Sequence, residues 1–311
     1  MSQNVPAEYE PIEFTSEGTR CAGSLYRPDE SLTTGDPPVV VMGNGFGLPR
    51  QAGLPAVAQR LTEHGLAAMT FDYRSLGESG GEPRNVVIPF RQLVDWRAAV
   101  GHARTIDGVD GDHIGVWGFS MGGGGAFVTA AREDVDAYVG QNPVLDGMRA
   151  ILYITRQMGP AYGLRTTAAG IRDLARKWTG QEPYYIPIWG NYPEDLPALP
   201  TKGSKKGHEA AVGPEADDPL VNRCAARVFL TFGLYRPVSE AGQINCPALL
   251  VEGAGDQIAP RSAIKAAAAH LSDLKWVTYD IDHFGAFVGD TADEIVEEEA
   301  AFLERHLTEA T

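Results

Sequence analysis

Cysteine is scarce in this chain, and the little there is follows no pattern. Cys21, Cys224 and Cys246 are odd in number and far apart, with no C-x-x-C spacing. That excludes a disulfide framework and a zinc site, and leaves three core or near-surface thiols. Cationic charge is also short: 26 Lys and Arg stand against 41 Asp and Glu, and the net charge of −15 argues against nucleic acid and anionic membrane as partners. The only concentrated basic run, Lys202, Lys205 and Lys206 with Gly203 and Ser204 inside it, reads as a solvated loop. No apolar run is long enough to cross a bilayer. The segment Met1-Ser2-Gln3-Asn4-Val5-Pro6 has neither the basic stretch nor the apolar stretch of a secretory signal, so a cytoplasmic protein is expected. Internal repeats and low-complexity tracts are missing as well.

What remains is an ordinary globular composition, 43% hydrophobic and 22% charged over 311 residues. This is ample for one large α/β domain or two small ones. An acidic surface suits a monomer and a homodimer alike.

Along the chain, residues 8–26 alternate loosely around Gly18 and Gly23, as two antiparallel edge strands joined by a turn would. Pro37-Pro38 introduces the apolar run Val39-Val40-Val41-Met42, a strand buried on both faces, which ends in the cluster Gly43-Asn44-Gly45-Phe46-Gly47. Helical periodicity over 55–64 closes at Gly65. A strand at 66–73, a helix at 87–103 with Leu93, Trp96 and Val100 on one face, a strand at 114–117, a helix at 122–132 and a strand at 135–140 follow. This alternation predicts a mostly parallel, doubly wound α/β sheet with helices on both faces.

The rhythm breaks over residues 145–243, where helical stretches at 150–158 and 167–178 sit among Pro, Gly and aromatic residues. So long an interruption is usually functional, and it divides the chain into a core of 1–144 and 244–311 with an inserted, mainly helical cap at 145–243. A small domain of purely structural role is the other reading. Regularity returns with a strand at 246–253, an alanine-rich helix at 260–271, a strand at 275–281 and a terminal amphipathic helix at 291–307.

The chemistry lies at Gly118-Phe119-Ser120-Met121-Gly122, a G-x-S-x-G directly after the apolar run Ile114-Gly115-Val116-Trp117. A strand turning sharply into a helix holds its corner serine out at the tip, and side chains at the flanking glycines would collide with neighbouring backbone. The first free N–H groups of the following helix point at the same spot, where they suit a developing negative charge. A serine hydroxyl needs a base, and the base needs an orienting group. Asp256 and His283 each follow a late strand, as such partners should. Asp256 beside Gly255 also reads as a turn residue, and Asp280, Asp282 and Asp146 are further acids to weigh. Of the seven histidines, only His283 comes just after a late strand with a glycine near it.

The order Ser120, Asp256, His283 resembles that of the α/β-hydrolase superfamily, and the resemblance covers nearly everything outside 145–243. It implies an eight-stranded sheet, an acyl-enzyme on Ser120, and His283 as base with Asp256 orienting it. It also implies an oxyanion hole from the N–H groups of Met121 and, by matching position, Phe46. Superfamily members commonly carry His-Gly-x where this chain has Asn44-Gly45-Phe46, a departure that affects the loop rather than the chemistry. The resemblance implies a substrate class from branches that cleave esters, thioesters, polyketide-type acyl bonds or prolyl peptides. The same triad would serve carbon–carbon bond hydrolysis or a peptidase, and the same fold serves small-molecule receptors.

No cofactor is expected. Gly43, Gly45 and Leu48 fail G-x-G-x-x-G, and residues 118–125 lack the Lys-Ser or Lys-Thr of a P-loop. Nothing suggests a metal. In the insert, Tyr153, Met158, Tyr184 and Trp189 are the candidates for lining a pocket for a small acyl substrate, and packing of the cap on itself is the competing role for them.

Overall fold

The computed structural model describes residues 8–218, 220–287 and 290–308; the segment Met1 to Pro6 lies outside them. Strand β1 (Glu10–Ser16) turns through Glu17 and Gly18, both at positive φ (44° and 77°), into β2 (Thr19–Tyr26). Two consecutive residues in that region give the tight hairpin whose twist matches its strands. Strands β3 (Pro38–Gly43), β4 (Ala67–Phe71), β5 (Asp110–Phe119) and β6 (Ala137–Gln141) follow. Helices α1 (Leu54–Glu63), α2 (Pro89–Ala103) and α3 (Met121–Arg132) connect them. Later come β9 (Ala248–Gly253), α8 (Arg261–Ala268), β10 (Leu274–Tyr279) and α9 (Asp290–Thr308).

Eight strands form one sheet in the order β1-β2-β4-β3-β5-β6-β9-β10, parallel except where β2 meets its two neighbours. This is the α/β-hydrolase fold. Only β1 of the N-terminal pair is an edge strand. The expectation of two edge strands fails because β2 lies between β1 and β4, and its last six residues are buried. One face of the sheet is covered by α1 and α9 over Trp117, Val139 and Val251, the other by α2, α3 and α8 around Trp96, Phe127 and Tyr138. The central strands are buried on both faces, which is why they read as unbroken apolar runs. All three cysteines are free thiols, Cys21 and Cys224 buried and Cys246 half-buried. No helix among the described residues is long and apolar enough to cross a membrane.

Between β6 and β9 the chain runs through α4 (Gly147–Met158), α5 (Pro160–Trp178), β7 (Tyr185–Ile186), α6 (Ser204–Val212), β8 (Cys224–Ala225) and α7 (Val228–Thr231). Three details depart from the sequence reading. Helix α5 begins seven residues earlier than Thr167, at Pro160, whose fixed φ suits a first helical position. The basic run around Lys202 is the entry to α6, with Lys202, Lys205 and Lys206 exposed. A two-stranded antiparallel ribbon joins β7 to β8, too short to leave any periodic signal.

The ends of the insert are tied to the core. Val238 N–H donates to Leu145 O (2.8 Å), Gly147 N–H to Tyr235 O (2.8 Å), and the Tyr235 hydroxyl to Met121 O (3.1 Å). Within the insert, buried Asp173 accepts hydrogen bonds from the N–H groups of Tyr184 and Arg227 and from two nitrogens of the Arg227 guanidinium (2.7–2.8 Å). Burial alone would push this carboxyl up. The bonds from Arg227 and Tyr184 outweigh that and hold it below its ordinary value.

Candidate active site

Ser120 sits where β5 turns into α3, at φ 54° and ψ −119°. A non-glycine residue in that region is strained, and its neighbours over-determine the geometry. Its N–H donates to Gln141 O (2.9 Å), and its carbonyl accepts from the N–H groups of Gly124 (3.2 Å) and Val144 (2.8 Å). A Cβ at Gly118 would strike the carbonyl of Gly122, and one at Gly122 would strike the carbonyls of Gly43 and Asn44. Helix, strand and the loop after β3 therefore approach closely only because both positions lack a side chain.

Three distant loops converge on this corner. His283, after β10, places Nε2 2.9 Å from Ser120 Oγ and Nδ1 2.6 Å from Asp256 Oδ2. The other oxygen of Asp256 accepts from the N–H groups of Ile258 (2.7 Å) and Ala259 (2.9 Å). All three side chains are buried. The network assigns the tautomer: the carboxylate can only accept, so Nδ1 carries the proton and Nε2 presents its lone pair to the hydroxyl. The imidazole lies against the rings of Phe119 (centroids 5.0 Å apart) and Phe284 (5.2 Å). A hydroxyl, an imidazole and a carboxylate touching in series in a buried corner can move a proton off the hydroxyl and hold the resulting positive charge.

The other acids point elsewhere. Asp146 caps α4 through Arg149 N–H (3.0 Å) and pairs with Arg236 (3.2 Å). Asp282 accepts from the N–H groups of Phe284 (3.1 Å) and Gly285 (2.9 Å), and Asp280 faces solvent.

Asn142 was missed by the sequence reading. This buried residue follows β6 at φ 45°. It donates from its backbone to Val251 O (2.9 Å), accepts at Oδ1 from Gly253 N–H (2.7 Å), and donates from Nδ2 to the carbonyl of His283 (2.9 Å). One side chain thus joins the strand beside the nucleophile to the strand that carries the acid loop and to the histidine itself. Asn142→Ala is expected to leave His283 poorly placed and to lower kcat by about 10²-fold with little change in KM. Steady-state kinetics on a soluble ester check this, and an unchanged kcat would remove Asn142 from the catalytic support.

In the loop after β3, Asn44 knits the backbone together. Its Nδ2 donates to the carbonyls of Pro49 and Ala52 (both 2.8 Å), and its Oδ1 accepts from Gly45 N–H (2.8 Å). Phe46 and Met121 line the same pocket as Ser120. Met121 opens α3, so its N–H has no partner within the helix.

That pocket has a cavity volume of ≈ 60 Å³. Its walls are Ala150, Ile151, Ile154 and Thr155 of α4, Tyr162 and Thr166 of α5, Leu199, Val228, Phe229 and Phe232 from the rest of the insert, and Ile258. The Tyr162 hydroxyl is already committed to the carbonyls of Pro197 and Ala198 (2.9 Å each), and Thr166 Oγ1 to Tyr162 O (3.0 Å). None of the four candidates chosen from the sequence is on this wall. The Tyr153 hydroxyl donates to the Asp256 carbonyl (3.1 Å), and Met158 packs into the core. Tyr184 lies under the Arg172 guanidinium (4.0 Å). Trp189 is buried and stacked on His208 (centroids 4.9 Å apart), whose imidazole burial pushes down to about 3. Helical spacing was the signal available, since 150, 151, 154 and 155 fall on one face of α4.

Comparison with known proteins gives a consistent picture. The chain matches the family model of serine aminopeptidases, S33, over residues 39–281. It is 30% identical over 303 residues to the quorum-quenching protein AidA of Acinetobacter baumannii, covering 97% of this chain and 96% of AidA. It is 34% identical over 131 residues to the thiohydrolase aneE of Aspergillus aculeatus, covering 42% of this chain and 40% of that protein. The polyketide transferase grgF of Penicillium sp. is 24% identical over 303 residues, 95% of this chain and 96% of its own. The crystal structure of the alpha/beta hydrolase GrgF from Penicillium sp. sh18 superposes with a TM-score of 0.77 at 23% identity, over 97% of this chain and 99% of that one.

Proposed function

The chain belongs to the serine aminopeptidase S33 family of α/β-hydrolases, and from that premise we propose that it cleaves a carboxylic ester or thioester through an acyl-enzyme on Ser120. The observation that carries this reading is His283, bonded on one side to Ser120 Oγ (2.9 Å) and on the other to Asp256 (2.6 Å). Ser120 Oγ attacks the carbonyl carbon as His283 Nε2 takes its proton, and Asp256 stabilises the imidazolium. The tetrahedral oxygen, now negative, accepts hydrogen bonds from the N–H groups of Phe46 and Met121, each donor contributing about 10²–10³ in rate. Collapse expels the alcohol or thiol with the proton from His283. Water then adds to the acyl-serine, giving its proton to His283, which returns it to Ser120 as the acid leaves.

Ester and thioester cleavage are favoured over the aminopeptidase activity in the family's description by what the pocket lacks. An aminopeptidase must hold a substrate ammonium, and among the described residues no Asp or Glu is on the pocket wall. The wall suits an unsubstituted apolar acyl chain, with residues 145–243 serving as a cap that closes over it. A thioester is also what the name thiohydrolase, borne by the relative aneE, denotes. The substrate is thus a small acyl compound, with no cofactor required.

A panel of esters, thioesters, β-diketones and aminoacyl amides, assayed side by side, tests the reading. Esters or thioesters should turn over fastest, and a preference of several orders for a diketone or an amide would displace it. Ile154, which lines the same pocket as Ser120 and Phe46, gives a second test. Ile154→Trp should lower kcat/KM for an octanoyl ester by about tenfold or more and leave the acetyl ester within about twofold. Equal loss for both chain lengths would show that the acyl chain lies elsewhere.

A further inference from the structure

The charge of this chain is unevenly placed. From Gly147 to Trp178 it carries Arg149, Arg156, Arg165, Arg172, Arg176 and Lys177 against one acid, Asp173, so this stretch is net +5 in a chain of net −15. Asp173 is buried and spent on Arg227. Of the six cations only Arg149 has a carboxylate within ion-pair distance among the described residues. Of the other five, Arg165 and Arg172 lie over the rings of Tyr192 (5.5 Å) and Tyr184 (4.0 Å) and Arg176 donates to Glu182 O (2.6 Å), contacts that leave their charge in place. So in a chain with 41 acidic residues five cations on one helical hairpin are not neutralised by any acid among the described residues.

The same hairpin exposes apolar side chains. Leu164, Ile171 and Trp178 are 73%, 58% and 78% exposed. They recur every seven residues on α5 and so form one stripe about 21 Å long on its outer face. On α4, Met148 and Leu152 are exposed as well. The inner faces of both helices are committed to the pocket and core through Ile154, Tyr162, Thr166 and Ala169. The outer face therefore has no structural use within the chain, although exposing three large apolar side chains in a row is unfavourable in water.

Against the expectation from the chain's net charge, which this local surplus of cations overrides, we propose that the outer face of the α4–α5 hairpin is a docking surface for an anionic lipid bilayer, laid flat on the headgroups with Leu164, Ile171 and Trp178 dipping among the acyl chains. A linear apolar stripe ending in Trp and flanked by Arg and Lys is the pattern of a helix that lies in a membrane interface. Charge complementarity selects the occupant. A second copy would set like-charged hairpins face to face, whereas an anionic leaflet attracts each cation, about fivefold in binding per charge. The net charge of the remaining residues, −20 by difference (−15 − 5), turns the rest of the molecule away from the lipid and so orients it. No membrane-spanning segment is involved. The consequence is an acyl pocket whose covering helices rest on a reservoir of apolar acyl groups.

Sedimentation with vesicles tests this. The full-length protein should pellet with vesicles of phosphatidylcholine and phosphatidylglycerol and remain in the supernatant with phosphatidylcholine alone. Raising the salt tenfold from about 0.05 M should release most of it. Ile171→Glu should weaken binding about tenfold or more, and Arg156→Glu and Lys177→Glu more than the fivefold expected from neutralisation, since each reverses a charge. These exposed positions are outside the pocket and the triad, so turnover of a water-soluble ester should be unchanged and reports that each variant is folded. That control also separates failure here from failure of the proposed hydrolysis. No vesicle binding at low salt, equal binding to both lipid compositions, or indifference to Ile171→Glu would overturn the proposal. So would a concentration-dependent dimer in lipid-free buffer that Ile171→Glu abolishes, because it would assign the face to a second copy.

Discussion

Ser120→Ala is expected to lower kcat on a p-nitrophenyl ester by about 10⁶-fold. The size follows from the way the three residues act. Without Oγ there is no acyl-enzyme, and His283 is left facing a methyl group with a lone pair it cannot use. What survives is binding and the two oxyanion N–H groups, which retain about 10³–10⁴ over the uncatalysed reaction. His283→Ala should cost about as much. The double variant should be no worse than either single one, because the second deletion removes a part already idle. Asp256→Asn keeps the shape but lets the amide favour the wrong imidazole tautomer, and a loss near 10⁴ is expected. Alanine and serine are equally strained at φ 54°, so the fold should hold. The measurement is burst and steady-state kinetics on the purified variants, with fluorophosphonate labelling of the parent. Full activity in Ser120→Ala, or an adduct on any other residue, would end the assignment of Ser120 as nucleophile.

The convergence of Ser120, His283 and Asp256 could be read from the sequence because each stands just after a strand-like run with a glycine nearby. An α/β sheet delivers such positions to one rim whatever lies between them. The central strands were legible for a related reason: residues 39–42 and 114–117 are apolar without alternation, as burial on both faces requires. Asn142 was not legible. Its importance rests on a left-handed backbone and on bonds to partners more than a hundred residues away, and neither leaves a local pattern. The pocket wall failed for a different reason. Aromatic content drew attention to Tyr184 and Trp189, which are used in packing the insert, while the wall combines Tyr162, Phe229 and Phe232 with small and branched residues on α4 whose helical spacing was visible. Propensity was overruled at α5, which runs back from 167 to Pro160 and holds both Gly163 and Gly170, poor helix formers. Gly170 packs closely on Leu230 and on the carbonyl of Ala226, so tertiary contact supplies what local preference withholds.

Glu299 carries the second large effect. It lies on the inner face of α9, fully buried, with Oε2 accepting from the Trp117 indole N–H (2.9 Å) and Oε1 without a partner. Burial, opposed by the Trp117 hydrogen bond and aided by neighbouring Glu298, pushes its carboxyl up to about 8. The sign follows from linkage. In the unfolded chain this acid ionises near its ordinary value of 4.5, while in the folded chain it keeps its proton until about 8. The unfolded state therefore gains more from each rise in pH across that interval. Stability from this group is fully present below 4.5 and is lost as pH climbs to about 8, at about 1.4 kcal/mol per pH unit. Glu299→Gln keeps an acceptor for Trp117 and does not ionise. Its stability relative to the parent should rise by about 3 kcal/mol between pH 4.5 and pH 7. For a chain of this length that is a relative gain in Tm of roughly 5 °C. Every other titrating group, the low-pKa His208 included, is common to both proteins and cancels in the difference. Thermal melts of the pair across that range measure it directly. A difference that stays flat with pH would mean that water or a rearranged side chain reaches the Glu299 carboxylate, and that α9 does not seal this face of the sheet as tightly as its packing implies.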